Sequence, residues 1–427
     1  MRKKLKIGLG LFVSVLLIMS LVGCSGDQVA STYQVDVGVV EGEGSVEVNP
    51  NKESYEEGEE VSIEAIADDN WVFVEWRGSI SSENREETIV IDNDMTVGAV
   101  FEVDQDITGE GTADDPYMIY TAEGLRMMEE DYEAYYQLAR DIDLADYGNW
   151  DPIGNFDDPP NTLFSGELDG DGFSIKNASI ANDDPYGLTG LFLIILGSRI
   201  QNLNIVDADV QGVEDVGVLA GRSVFSEIND VSVKSSTISG DFNVGSLVGS
   251  LYADSVIENS SAEDVEIIGE DVLGGLAGLM GNEVLISQSY FNGTVEGNDK
   301  VGGLTGRILK PHDDEEEAPV IKNSFAVGAV SATGDVAGLV GENYGDVINS
   351  YAAVEVDAFG PEESSGGAIA TNNGSVEGVY YDKEVSGMDD ENKGEPKTTE
   401  EMMTKSTFSE WDFEEVWAIE DGYPFLQ

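Results

Sequence analysis

Between residues 33 and 103, apolar and polar residues alternate in short runs. The segments 33–37, 61–65 and 88–91 read Tyr-Gln-Val-Asp-Val, Val-Ser-Ile-Glu-Ala and Thr-Ile-Val-Ile. Gly-Glu-Gly at 42–44 and Asn-Pro-Asn at 49–51 separate such runs with turn-forming residues. Because the side chains of a strand alternate between two faces, this pattern predicts a small module of half-buried β-strands over 33–103.

A different pattern follows, in which a six-residue unit returns about every 28 residues between 187 and 381. The unit is an apolar residue, Gly, any residue, Leu, any residue and Gly. Its clearest copies lie at 216–221, 244–249, 273–278, 301–306 and 336–341, the last with Ala337 in place of the first Gly. One such segment cannot bury a core by itself, whereas stacked segments can. We therefore expect each repeat to form one coil of a β-solenoid.

The repeated positions predict how the coils pack. One Leu from each copy should point inward and stack on the same Leu of the next coil. Glycine, which can adopt a left-handed backbone, is expected at the corners, and the glycines that flank each Leu should leave room for the backbone to bend. A second element, Ile-Ser-Gln-Ser-Tyr-Phe at 286–291 and Ile-Lys-Asn-Ser-Phe at 321–325, recurs between the units. The inward leucines are Leu219, Leu247, Leu276, Leu304 and Leu339.

Two helices are expected to seal the solenoid ends, where bare strands would otherwise pair with other chains. Apolar residues at helical spacing place the first at 121–139, and the capping box of Thr398 and Glu401 begins the second, at 399–407. The predicted fold is all-β, a small β-rich N-terminal module plus a right-handed β-helix-like solenoid with short helical caps. The predicted segments are a signal peptide (1–23), a tether (24–32), the β-rich module (33–103), an N-terminal cap (104–186), the repeats (187–381) and a C-terminal cap (382–427).

The first residues have the composition of an export signal. Arg2, Lys3, Lys4 and Lys6 precede an apolar run at 7–19, which is too short to span a membrane. The following Leu-Val-Gly-Cys at 21–24 resembles the lipobox of bacterial lipoproteins, and Cys24 is the only cysteine of the chain. The resemblance implies cleavage before Cys24, attachment of lipid to its thiol and anchoring to the cell membrane or outer membrane.

Two further resemblances cover most of the remaining chain. Gly-Glu-Gly-Ser-Val at 42–46, Trp-Val-Phe-Val-Glu-Trp at 71–76 and Met-Thr-Val-Gly-Ala-Val-Phe at 95–101 resemble the divergent B-repeat of internalin-type surface proteins. The six-residue units resemble the GLUG motif of bacterial surface adhesins and of some secreted peptidases that cleave immunoglobulin A. These resemblances imply a bacterial cell-surface protein. In the first module, Trp71, Phe73 and Trp76 are expected to be core residues rather than a carbohydrate platform.

The net charge narrows the classes of partner. With 85 Asp and Glu against 21 Lys and Arg, the formal charge is −64, which excludes nucleic acid and acidic polysaccharides as partners. The acidic residues are spread over turns, strand exteriors and an insert at 313–317 rather than gathered at one place. Such an even excess suggests a surface adapted to concentrated salt, where counterions screen its self-repulsion.

Few residues offer catalytic or metal-binding chemistry. His312 is the only histidine and lies in the acidic insert, so a zinc site of the His-Glu-x-x-His kind and an imidazole-based triad are not expected. Asp389–Gly394 with Glu400 has the spacing of an EF-hand loop, but Lys393 opposes a cation there. We therefore predict no catalytic, cofactor or metal site, no enzymatic activity, and only weak, nonspecific binding of cations such as calcium.

The resulting hypothesis is a lipid-anchored cell-surface protein whose β-solenoid serves adhesion or interaction with the envelope. Its partners would be the membrane, through the anchor, and an extracellular glycan or protein ligand. The alternative is a polysaccharide-active enzyme, a glycosidase or a lyase, with a carboxylate pair in a solenoid groove. Two carboxylates about 5 to 9 Å apart, with aromatic walls, would favour the enzyme, and evenly spread carboxylates would favour adhesion.

Overall fold

The computed structural model describes residues 31–68, 70–155, 162–184, 187–311, 317–360, 364–390 and 393–427. The chain divides into two compact units, one ending at Asp104 and one beginning at Gln105. The first is a β-rich module and the second a β-solenoid of about 8 turns. Within the described ranges, every helix is too short or too polar to span a bilayer.

The first unit contains two three-stranded sheets. In one, Met95–Val103 lies between Val35–Glu41 and Trp71–Gly78, parallel to the former and antiparallel to the latter. In the other, Glu60–Ala67 lies between Gly44–Asn49 and Glu86–Val90, antiparallel to both. The short strands Thr32–Tyr33 and Tyr55–Glu56 form a separate antiparallel pair.

The aromatic residues of this unit belong to its core. Trp76 is fully buried and donates its indole N–H to the carbonyl of Asn84 at 3.0 Å. Phe73 packs against Trp76, with ring centroids 5.3 Å apart, and Trp71 lies partly buried against the same cluster. Because a module of this size has few other large side chains to bury, these rings hold its sheets together.

The solenoid contains a parallel seven-stranded sheet formed by one strand of each successive coil. The sequence separation between its neighbours is that of the repeat, which is how a solenoid differs from a sheet of adjacent hairpins. Its strands, in spatial and chain order, are Phe192–Leu196, Ala220–Val224, Val248–Tyr252, Ala277–Met280, Thr305–Ile308, Val340–Asn343 and Ile369–Asn372.

The other solenoid strands form one continuous hydrogen-bonded set that winds around the core, parallel throughout except where Ile107–Thr108 pairs antiparallel with Tyr117–Ile119. In chain order they are Ile107–Thr108, Tyr117–Ile119, Tyr135–Leu138, Ile142–Asp143, Glu167–Asp169, Ser174–Lys176, Ser179–Ala181, Arg199–Val206, Asp209–Gln211, Glu214–Val216, Glu227–Lys234, Thr237–Gly245, Val256–Glu258, Ser261–Gly274, Leu285–Ser287, Tyr290–Glu296, Asp299–Gly302, Val320–Lys322, Phe325–Ala332, Val336–Ala337, Asp346–Ile348, Tyr351–Ala358, Ser365–Gly366, Ser375–Glu377, Tyr380–Asp382 and Glu395–Lys397. A separate antiparallel pair, Trp417–Ala418 and Phe425–Leu426, lies near the C-terminus.

The repeated leucines form the predicted inward ladder. All five are fully buried in one continuous core. The backbone N–H of Leu247 donates to the carbonyl of Leu276 at 3.0 Å, and that of Leu276 donates to Leu304 at 2.9 Å. Each Leu therefore contributes both apolar packing and a hydrogen bond to the neighbouring coil.

The repeat glycines leave room for the backbone, as predicted, but they do not form the left-handed corners expected of glycine. Left-handed corners are instead formed by residues such as Asn243, with φ of 54°, and the glycines of the repeat are not in that conformation. A Cβ on Gly274 would lie 2.2 Å from the carbonyl oxygen of Ala277, and a Cβ on Gly278 would lie 2.5 Å from the backbone of Asn243. Glycine is therefore required for close backbone approach, while Asn and Asp, which tolerate the left-handed region, make the turns.

The second repeated element contains a ladder of buried serines. The N–H of Ser260 donates to the hydroxyl of Ser289 at 3.1 Å, and the N–H of Ser289 donates to that of Ser324 at 3.3 Å. Ser324 continues the ladder to Ser350 at 3.2 Å. Each hydroxyl also donates to the carbonyl two residues before it, at 2.7 to 2.9 Å. The ladder satisfies backbone groups that burial would otherwise leave without partners.

The N-terminal helix is shorter than predicted. The structure has an α-helix at Ala122–Arg126 and a 3₁₀ turn at Met127–Glu129, and their Leu125 and Met128 enter the solenoid core. The second half of the predicted helix is instead the strand Tyr135–Leu138, parallel to Glu167–Asp169. Strand pairing with the next coil therefore overrides the helical spacing of the tyrosines.

At the other end, the helix Thr399–Met402 starts at the predicted capping box, and a further short helix occupies Lys383–Ser386. The helix at 399 is also shorter than predicted, and a 3₁₀ turn follows it at Lys405–Thr407. The C-terminal segment, residues 398–427, which includes this helix, packs on a stack of aromatic rings on the outside of the last coils. The helix Thr399–Met402 contacts the last strands, Tyr380–Asp382 and Glu395–Lys397, and its Met402 is buried in the same cluster of rings.

Candidate functional site

The structure places the residues with predicted chemistry as follows. Cys24, proposed as the lipid attachment residue, and His312 lie outside the described residues. In the EF-hand-like stretch, Asp390 accepts a hydrogen bond from the Tyr381 hydroxyl at 2.8 Å. Asp389 lies 3.9 Å from the ammonium of Lys383. Across the described ranges, no three His, Cys, Asp or Glu side chains converge on a point where they could hold a metal ion.

One open groove follows a corner of the solenoid across four coils. We call it the glycine groove, because Gly212, Gly240 and Gly269 stack along its floor. Its volume is about 840 Å³. Glycine is required on this floor, since a Cβ on Gly269 would lie 2.2 Å from the carbonyl oxygen of Gly240. The repeat therefore produces a floor without side chains between two rows of side chains, with Gly212 and Gly269 partly exposed and Gly240 buried.

The side chains along the glycine groove can bind a polar ligand. Asp183, Asp241 and Glu270 stand along one side and form no ion pair with a described residue. Gln211 and the exposed Ile268 lie on the other side. Carboxylates and amides accept and donate hydrogen bonds, and the apolar side chain offers contact area, so the arrangement suits a ligand that is extended along several coils.

A second surface, which we call the N-terminal cleft, lies on the first coils and has a volume of about 320 Å³. Tyr135 and Phe225 both line it, as do the carboxylates of Glu167 and Glu227. Arg199 lies between the two glutamates in strand register and binds Glu227 at 2.6 Å. With neighbouring strands about 4.8 Å apart, Glu167 and Glu227 are two steps apart, or roughly 10 Å along the solenoid.

Phe225 has an unusual backbone for a large residue. Its φ is 53°, in the left-handed region, and 57% of its surface is exposed. The preceding coil has Gly197 at this corner, with φ of 68°. A bulky residue in this conformation costs roughly 1 to 2 kcal/mol, and exposure of the ring offers no compensating burial.

Sequence reasoning did not find either surface. The stacked glycines were visible only as part of a repeat, and Phe225 is one apolar residue in a turn. The cleft combines residues from coils separated by a full repeat, so it can be seen only once the register is known. The left-handed conformation of Phe225 cannot be predicted from the sequence, because the φ angle of a single residue depends on the coil around it.

The fold defines a β-solenoid protein built from glycine- and leucine-containing repeats, preceded by a separate β-rich module. The first module is a divergent InlB B-repeat domain, matched over residues 35–105, and the solenoid carries the GLUG motif, matched over residues 240–268. Both resemblances inferred from the residues are confirmed.

Three curated relatives and one solved structure are similar to parts of the chain. A putative Gly-rich membrane protein of Evansella cellulosilytica is 32% identical over 74% of this chain and 45% of its own length. Halomucin of Haloquadratum walsbyi is 32% identical over 65% of this chain, which spans only 3% of that protein. The chain thus spans less than half of the length of each of these two relatives.

Immunoglobulin A1 protease of Streptococcus sanguinis is 29% identical over 35% of this chain and 8% of its own length. A crystal structure described as a putative immunoglobulin A1 protease from Bacteroides ovatus shares the fold, with a TM-score of 0.54 and 23% identity over 75% of this chain and 94% of that one.

These relatives correct one prediction. We expected no enzymatic activity, and that exclusion was wrong, because a relative that is similar to part of this chain is a named protease. The error was to infer the absence of all enzymatic activity from the low number of histidines. A single histidine rules out a His-Glu-x-x-His zinc site, but it does not rule out enzymatic chemistry by other groups.

Proposed function

We propose that this chain is a cell-surface protein whose β-solenoid binds an extracellular glycan or protein along the glycine groove, in adhesion or in contact with the envelope. The observation that carries the proposal is the groove itself, in which three carboxylates that form no ion pair with a described residue and the exposed Ile268 flank a glycine floor across four coils. Relatives named as a membrane protein and as halomucin support a location outside the cell.

The proposed anchor is a lipid on Cys24, since the sequence before it resembles a lipobox. Replacing Cys24 by Ser is expected to release the protein from the membrane fraction into the medium. Ser25→Ala is a matched control that leaves the thiol in place, and it should stay with the membrane. A Cys24→Ser protein that remains membrane-bound would contradict the lipid anchor but not the ligand-binding groove.

We also propose that the surface is adapted to high salt, because its net charge is −64. Salt should stabilise the protein by screening repulsion among its carboxylates. Melting temperatures measured at low and at molar sodium chloride are expected to rise with salt. Equal melting temperatures would contradict this part of the proposal.

The binding proposal is tested with the full chain on arrays of glycans and of host and envelope proteins. Asp183→Asn, Asp241→Asn and Glu270→Gln are combined to remove three charges from the groove with little change of shape. The matched control neutralises Glu355, Asp357 and Glu377, which are exposed elsewhere on the solenoid. We expect the groove variant to lose its ligand and the control to keep it. Equal binding by both variants would refute the groove as the site.

Because one relative is named an immunoglobulin A1 protease, immunoglobulin A1 belongs among the proteins tested. Its heavy chain is followed by gel electrophoresis after incubation with the protein, so that binding and cleavage are read separately. Cleavage by the wild type that the groove variant loses would assign the groove to a substrate. Cleavage that the groove variant retains would place the reaction at another surface of the chain.

A further inference from the structure

We propose that the N-terminal cleft is a second binding site, separate from the glycine groove, and that it holds a short neutral saccharide chain between Tyr135 and Phe225. The inference comes from the unusual position of one aromatic ring, from the polar groups beside it and from the spacing of the coils. It depends neither on the lipid anchor nor on the glycine groove.

Phe225 is poorly explained by folding. Its ring is 57% exposed, and its φ of 53° is a left-handed conformation that the small residues Gly197 and Ala253 adopt at the same corner of the preceding and following coils. Glycine there would relieve the backbone and lose little packing. A large ring held in a strained and exposed conformation is typical of a residue that contacts a ligand.

The other residues of the cleft indicate which chemical groups the ligand carries. Tyr135, 36% exposed, lies three coils away at the other end of the cleft, so one aromatic ring at each end is available for an apolar face. Between them, Glu167 and Glu227 can accept hydrogen bonds from hydroxyl groups, and Arg199 can donate. Sugar rings combine apolar faces with edges of hydroxyl groups. This alternation fits a cleft whose floor is formed by small residues, Gly166 and Ser198 among them, rather than by apolar pockets for peptide side chains.

The charge and the length of the cleft narrow the class of ligand further. Glu133, Glu167 and Glu227 outnumber the single Arg199, which is already paired with Glu227, so an acidic saccharide would be repelled. From Tyr135 the register runs through Glu167 and Arg199 to Glu227, on the coil of Phe225. These three steps span roughly 14 Å, so the cleft suits a short chain of rings rather than one ring.

The experiment measures binding of neutral oligosaccharides, namely cellohexaose, xylohexaose, mannohexaose and chitohexaose, to the full chain by calorimetry in molar salt. Phe225→Ala is compared with Phe359→Ala, which removes a ring that is 73% exposed at another site. We expect at least one oligosaccharide to bind. Its affinity should fall roughly tenfold or more in Phe225→Ala and stay unchanged in Phe359→Ala.

A third variant separates binding from folding. Phe225→Gly should melt at the wild-type temperature or higher, because it relieves the left-handed strain, and still lose the saccharide. Phe225→Tyr, which keeps a ring, should retain binding. The inference is overturned if no oligosaccharide binds, if Phe225→Ala binds as the wild type does, or if Phe225→Gly lowers the melting temperature, since the ring would then serve folding. The combined groove variant should bind the oligosaccharide normally, so failure at one site is distinguishable from failure at the other.

Discussion

The solenoid is open on one face at its N-terminal end and covered on an adjacent face at its C-terminal end, and the left-handed corners at Asp230, Asn259 and Gln288 separate the two faces. On the early coils, the strands Arg199–Val206 and Glu227–Lys234 present Arg199 and Glu227 to the N-terminal cleft. On the late coils, Tyr290, Phe325 and Tyr351 stack outward at ring separations of 4.8 and 5.0 Å, nearly parallel. The C-terminal segment, residues 398–427, lies over this stack.

The cover is built from aromatic contacts and directed hydrogen bonds. Trp411 and Trp417 stack on each other at 4.4 Å, and Trp417 also lies 6.0 Å from Tyr351. The Tyr351 hydroxyl donates to the carbonyl of Pro424 at 2.7 Å, and the Tyr423 hydroxyl donates to the buried carboxylate of Asp382 at 2.7 Å. These bonds fix where the segment docks, because a buried hydroxyl without a partner would be costly.

The difference between the ends shows that a repeat uses its inward positions for packing and its outward positions for surface contacts. Inward positions are equivalent in every coil, since each must stack on the same residue above and below it. Outward positions have no such constraint and can diverge. In this chain they diverge into an apolar stack that binds the chain's own C-terminal segment, and into an open, charged cleft that leaves Phe225 exposed.

The largest expected effect tests the part that both ends share. Leu276→Asp places a charge on the inward ladder, where Leu276 is fully buried. Burial of an unpaired carboxylate should destabilise the solenoid by about 4 kcal/mol or more, enough to prevent stable folding. Circular dichroism melting measures the loss. Ile268→Asp is the control, because Ile268 is exposed on the neighbouring strand, and it should melt close to the wild type. A Leu276→Asp protein with wild-type melting would contradict the common inward ladder.

The next effect should be confined to the covered end. Trp417→Ala removes a fully buried ring from the C-terminal cover, which should weaken docking of that segment by about 3 to 5 kcal/mol. We expect limited proteolysis to cut within residues 398–427 while the coils stay folded. Phe425→Ala, which truncates an exposed ring of the same segment, is the control and should resist cleavage. If the coils unfold together with the segment, the cover is part of one cooperative core and the contrast between the two ends fails.

Particular residues show how far the sequence could predict these features. The leucine ladder was predictable, because equivalent residues of a solenoid must stack. The two uses of glycine were not, since close approach at Gly274 and a left-handed turn at Gly197 look the same in a sequence. The tyrosines at 135 and 136 have helical spacing, yet pairing with Glu167–Asp169 makes them a strand. The cleft escaped prediction because it depends on register between coils and on the φ angle of Phe225.

The smallest expected effect is a dependence on alkaline pH at the covered end. Burial, and then the hydrogen bond that the Tyr290 hydroxyl donates to Glu263, raise the pKa of Tyr290 to about 12. In the unfolded chain this pKa is about 10, so the folded state favours the protonated phenol. The corresponding stabilisation is complete below pH 10 and is lost as the pH rises from about 10 towards 12. Because the ring is only partly buried, solvent screening limits the loss to about 1 kcal/mol.

Tyrosinate absorbance against pH, compared between wild type and Tyr290→Phe, should show one late-titrating phenol missing in the variant. A phenol that is missing from the variant but titrates near pH 10 would mean that Tyr290 titrates like an exposed tyrosine, and that the aromatic stack is open at that coil.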